Sequence, residues 1–129
     1  MKLLIAYKMN PIYYKVIVLG NDRSGKTRFC TSALGNNCTI HELRGYTEGV
    51  NTYTKRTDTT EIELWDTGRG GLRGGYFIGT DAAIILSTND KDTRKYVIEL
   101  SRHAPDARFV VVDPTQEYDA NQILRNFNF

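Results

Sequence analysis

Eight consecutive residues, Gly20-Asn21-Asp22-Arg23-Ser24-Gly25-Lys26-Thr27, follow the pattern GxxxxGK[ST], and the apolar run Val16-Ile17-Val18-Leu19 leads directly into them. This is the Walker-type phosphate-binding loop, and it constrains the fold more than anything else in the chain. A buried strand must deliver the loop, glycines must let backbone N–H groups close around phosphate oxygens, and a helix must begin at the far end. In that arrangement Lys26 neutralises the β and γ phosphates, and Thr27 offers its hydroxyl to Mg²⁺ and caps the helix. The expected nucleotide-binding set is Gly20, Asn21, Asp22, Arg23, Ser24, Gly25, Lys26 and Thr27, with Arg28 next in line. A plain turn rich in Gly, Asn, Asp and Ser is the competing reading. Strand, loop and helix signals agree, which favours the phosphate loop.

The helix after the loop should run over Lys26–Leu34 and stop at Gly35, a natural C-cap. Residues 36 to 49 read as loop. Val50–Arg56 and residues 60 to 65 read as an antiparallel hairpin around Thr57-Asp58-Thr59. Residues 68 to 75 hold Gly68, Gly70, Gly71, Gly74 and Gly75, a loop composition. Ala82-Ala83-Ile84-Ile85-Leu86 and Phe109-Val110-Val111-Val112 are continuous apolar runs, expected as strands covered on both faces. Between them, residues 93 to 102 place Tyr96, Val97 and Leu100 on one helical face, which makes a parallel crossover. Residues 117 to 129 read as a short amphipathic helix carrying Tyr118, Ile123, Leu124 and Phe127. The expected fold is α/β, three layers, with a mostly parallel sheet that includes one antiparallel hairpin strand.

A chain of 129 residues is expected to form a single domain with a real core. Its net charge of +2 arises from 17 basic and 15 acidic residues without a block of either sign, so nucleic acid is not an expected partner. The first residues are interrupted by Lys8 before a signal sequence or membrane span forms, and no lipidation motif is present, so no membrane partner is expected. Cys30 and Cys38 are read as reduced thiols of a cytoplasmic or nuclear protein.

Trp65-Asp66-Thr67-Gly68 ends the hairpin's second strand, where a phosphate-loop protein holds the carboxylate that reaches Mg²⁺. Asp66 fits that role; capping a turn is its other reading. With KVIVLGNDRSGKTRF, ELWDTG, GLRGGYFIGTDAAIIL and the apolar strand before Asp113, the chain resembles the small GTPases of the Ras superfamily over residues 13 to 113, their Ran branch most closely. The resemblance implies GTP or GDP with Mg²⁺ as ligands. It also implies Thr47 as a further metal-sensing threonine, Gly68 as a γ-phosphate contact, and protein partners through residues 40 to 51 and 66 to 79.

Departures from that pattern carry expectations of their own. The family's Ala-Gly-Gln-Glu is replaced by the shorter Gly68-Arg69-Gly70-Gly71, without the Gln that orients water. Losing one preorganised group of that kind costs about 3 to 4 kcal/mol of barrier, so hydrolysis should be very slow or lost. The family's Asn-Lys-x-Asp is replaced by Asp113-Pro114-Thr115-Gln116-Glu117, which weakens guanine recognition by roughly 1.5 to 3 kcal/mol per lost charge-assisted bond. Glu117 is either a partial substitute or a solvent-facing glutamate. The family's last strand and helix have no counterpart, as in a C-terminally truncated G domain. The sheet face they would cover is then exposed, covered by residues 117 to 129 or 1 to 12, or buried in a homodimer. Arg69 and Arg73 are either catalytic cations acting on the γ phosphate or surface arginines. His41 and His103 lack metal-ligand spacing, and no serine stands in a nucleophile motif.

Two functions fit these residues best: a small GTP-binding protein with weak hydrolysis, or a nucleotide-weak module that engages the partners of a cellular GTPase. A phosphate-loop kinase is third, since no lid segment rich in arginine is present.

Overall fold

The computed structural model describes residues 10–35, 38–43, 50–67 and 74–129. Thr47, Gly68, Arg69 and Arg73, together with parts of both expected partner-binding regions, lie outside them.

Six strands form one sheet in the order β2-β3-β4-β1-β5-β6. The strands are β1 (Ile12–Gly20), β2 (Thr39–Leu43), β3 (Val50–Arg56), β4 (Thr60–Asp66), β5 (Ala82–Leu86) and β6 (Arg108–Val112). β1 pairs in parallel with β4 and β5, and β5 with β6, whereas β3 runs antiparallel to both β2 and β4. The expected mixed sheet with one antiparallel strand is therefore what forms.

β1 is central because each of its faces is apolar. Val16 and Val18 join one buried cluster, Ile17 and Leu19 the other. Helix α1 (Lys26–Leu34) covers the first face with Phe29, Cys30, Ala33 and Leu34, and ends at Gly35 as expected. Helix α2 (Asp90–His103) and a 3-10 turn at Gly74–Phe77 cover the second through Tyr96, Leu100, Tyr76 and Phe77. α2 starts earlier than its apolar residues alone suggest, because Asn89 caps it by accepting from the Asp92 N–H at 2.9 Å.

Helix α3 (Ala120–Arg125) is shorter than residues 117 to 129. Asp119 caps its start, accepting from the Gln122 N–H at 3.1 Å. It lies against α1 and buries Leu124, while Phe127 and Phe129 stack on each other and Phe129 stacks on Tyr14. Of the three outcomes open for the α1 face, the structure shows covering by the C-terminal residues.

Three expectations need correction. Residues 36 to 49 are not all loop, since Thr39–Leu43 adds an edge strand by pairing with β3; its polar centre hides the signal. The glycine-rich segment ends in the 3-10 turn rather than as loop through residue 75. β6 is not covered on both faces: Phe109 is 46% and Val111 42% exposed. Their register opposite Ala83 and Ile85 puts them on the side of α2, which packs over β1 and β5 instead.

Candidate functional site

The loop leaves β1 at Gly20 and returns at Gly25, whose φ of 93° lies in the left-handed region that favours glycine. Gly20 is favoured for a different reason. A Cβ there would displace the Ser24 hydroxyl and crowd the Leu86 carbonyl at 3.0 Å. The Ser24 N–H donates to the Asn21 carbonyl at 3.0 Å, closing the turn, and the Phe29 N–H donates to the Gly25 carbonyl at 2.9 Å, opening the helix. Gly25 is thus the N-cap of α1, and no side chain caps this end. Thr27 does not cap the helix, contrary to expectation.

Its hydroxyl is used elsewhere. Thr27 Oγ1 donates to Asp66 Oδ2 at 2.6 Å, joining the start of α1 to the end of β4. Thr67 Oγ1 donates to the Val18 carbonyl at 3.1 Å and fixes the end of β4 on β1. Lys26, only 7% exposed, donates from Nζ to the carbonyls of Gly20 at 2.8 Å and Asn21 at 3.1 Å. Burial pushes its pKa down, and the carboxylates of Asp66 and Asp22 pull it back up. The result is a partly desolvated ammonium at the mouth of a glycine turn, a state that a bound polyanion would relieve.

Tyr53 was not singled out by sequence. It is buried on β3, and its pKa is raised first by burial and then by the Asp66 carboxylate. Its position, paired with Leu64 two residues before Asp66, is a signal visible only once the hairpin register is known. Asn21 is fixed by Asp92 and Tyr96 of α2, a contact between residues 71 and 75 positions apart that no local pattern announces.

The oxygens of Thr27 and Asp66, already in contact, form a donor pair suited to Mg²⁺, which binds through few protein ligands when phosphate oxygens supply others. Among the described residues no cluster of three or more His, Cys, Asp or Glu could hold a metal by itself. Arg28 and Ser32 of α1 line a cleft of about 350 Å³ with residues 114 to 118. Glu117 is exposed at that cleft. Asp113 is turned to its own loop, where Oδ1 accepts from the Thr115 N–H at 2.9 Å and from Thr115 Oγ1 at 2.6 Å. Those two bonds hold its carboxyl below the usual range. A larger groove, about 660 Å³, lies at the far end of α1 beside Leu34, Ile62 and Arg125, away from the phosphate loop.

No protein-family model matches the sequence. Among solved structures, the chain is similar to the G domain of the T. maritima FeoB iron transporter, at a TM-score of 0.60 and 17% identity, covering 90% of this chain and 83% of that one. The fold is that of a P-loop GTPase G domain. Because β1, β4 and β6 run parallel, the loop after β1, the end of β4 and the loop after β6 stand at one end of the sheet, where Lys26, Thr27, Asp66 and residues 114 to 118 lie. No helix among the described residues is long and apolar enough to cross a membrane. Cys30 and Cys38 are both free thiols.

Proposed function

We propose that this chain binds a guanine nucleotide with Mg²⁺, gripping the phosphates with residues 20 to 27 and the metal with Thr27 and Asp66, and hydrolyses GTP very slowly. The observation that carries this reading is the Thr27–Asp66 contact of 2.6 Å beside the buried Lys26 ammonium. A hydroxyl and a carboxylate from separate elements meet where a phosphate-bound cation would need both. The G-domain fold supports guanine as the base. Thr47 and Gly68 complete the proposed metal and γ-phosphate contacts through the family resemblance. Slow hydrolysis follows from the missing water-orienting Gln, with Arg69 and Arg73 as the remaining cations near the γ phosphate in sequence.

A second reading is a nucleotide-weak module that binds the partners of a cellular GTPase through residues 40 to 51 and 66 to 79. Asp113 favours it, because that carboxylate is engaged by Thr115 and base reading falls to the exposed Glu117.

Competition titration of a fluorescent GTP analogue with Mg²⁺ separates them. Displacement by GTP and GDP but not ATP or inorganic triphosphate supports the first reading. Equal displacement by all four removes guanine selectivity from it, and no binding of the analogue leaves the second.

A further inference from the structure

Asn21 is fastened on two sides. Its side-chain Nδ2 donates to Asp92 Oδ2 at 2.7 Å, and its Oδ1 accepts from the Tyr96 hydroxyl at 2.5 Å. Its main-chain carbonyl accepts from the Ser24 N–H at 3.0 Å and from the Lys26 ammonium at 3.1 Å. One residue therefore ties α2 to the two bonds that shape the phosphate loop.

The α2 side of this tie is rigid. Tyr96 is buried in the core under the sheet. Asp92 Oδ2 also accepts from Asn89 Nδ2 at 2.9 Å, and Ser87 Oγ donates to the Asn89 carbonyl at 3.0 Å. Ser87 is in turn fixed to β6, its N–H donating to the Val112 carbonyl at 3.0 Å. The match is also chemically specific. A primary amide donates and accepts at once, which is what a carboxylate on one side and a phenol on the other require.

We propose that Asn21 is a positioning residue through which Tyr96 and Asp92 of α2 place the Lys26 ammonium, so that α2 sets how tightly the loop holds a polyphosphate. The proposal rests on the phosphate-binding part of the proposed function. Shifting Asn21 shifts the carbonyl that Lys26 and Ser24 share, and the attraction between the ammonium and a polyanion weakens as their separation grows.

The test uses the full chain, GTP with Mg²⁺ as the probe, and calorimetric titration, with the Tm of each variant recorded. Tyr96→Phe removes one neutral hydrogen bond and is expected to weaken binding about threefold to tenfold. Asn21→Asp sets two carboxylates against each other and should weaken it by about tenfold or more. The double variant Asn21→Asp/Asp92→Asn keeps the native net charge. Its new carboxylate at position 21 accepts from both Tyr96 and the new amide at position 92, and affinity should return to within about threefold of native. A Tyr96→Phe protein with native affinity, or a double variant no tighter than Asn21→Asp, overturns the proposal. So does a lowered Tm with unchanged affinity in the folded fraction, which is what a merely structural contact would give. A native protein that binds no GTP sinks the phosphate-binding reading itself. Native binding with unresponsive variants sinks only the coupling to α2.

Discussion

Asp66 and Thr27 share a hydrogen bond, and their chemistry predicts a separation between folding and metal use. Asp66→Asn keeps an oxygen that can accept from Thr27 Oγ1, so the Tm should move by no more than a few degrees. The Mg²⁺-dependent gain in nucleotide affinity should fall by about tenfold or more, because an amide is a poor ligand for a hard cation. Titrating nucleotide at several Mg²⁺ concentrations checks both halves. Lys15 gives a prediction in pH. It is buried, its Nζ lies 3.8 Å from the Trp65 ring and donates to the Ile78 carbonyl at 2.8 Å, and burial pushes its pKa down to about 8 against the upward pull of Glu63. An unfolded lysine titrates near 10.4. Between those values the unfolded chain holds a proton that the native one lacks, so stability rises with pH from about 8 upward. The buried Cys30 thiol, pushed well above its usual range, contributes with the opposite sign once unfolded thiols ionise. The clean comparison is therefore the Tm of native and Lys15→Met protein between pH 7 and 9. The native curve should gain on the variant as pH rises, and parallel curves would refute the assignment. Lys26, Thr27 and Asp66 were legible in sequence because short motifs fix their local backbone. Asn21 stood at a free position of the motif, and nothing in spacing links it to Tyr96.

Elements were read best where their ends carry chemistry. α1 follows from a glycine at each end, and the hairpin of β3 and β4 from the Thr57 to Thr60 turn, where the Thr57 N–H donates to the Thr60 carbonyl at 2.7 Å. β2 escaped because an edge strand needs no apolar alternation to pair. α3 was read too long because Asp119 takes the capping role and leaves residues 117 and 118 outside the helix. Its packing on α1 is where the C-terminal residues contribute to stability. Leu124 is buried between them, and Leu124→Ala should cost about 2 to 4 kcal/mol, read as a lower urea midpoint with an unchanged slope. A loss below about 1 kcal/mol would mean that α3 docks too loosely to protect the α1 face.

At the scale of the whole molecule, the sheet order puts the phosphate loop at the end of an interior strand and leaves β2 and β6 as edges among the described residues. Of that order the parallel crossover from β5 to β6 was legible, since two apolar runs separated by a helix pair in this way. What sequence could not show was how far α2 reaches. A run such as Phe109-Val110-Val111-Val112 looks the same whether one face or both are covered, and only the position of α2 over β1 and β5 decides it. The consequence is an edge strand with a large aromatic and a valine exposed on one face and no proline within it. Natural edges usually carry a charge at such positions, which makes pairing with another chain costly. Val111→Lys places one there without touching the side of the strand that carries half-buried Val110 and buried Val112. The variant should keep the native Tm to within a few degrees and remain in solution at protein concentrations several-fold higher on heating. Light scattering during a thermal ramp measures this. An aggregation threshold unmoved by the lysine would place the vulnerable surface elsewhere, and a collapsed Tm would mean that Val111 is more deeply packed than its 42% exposure indicates.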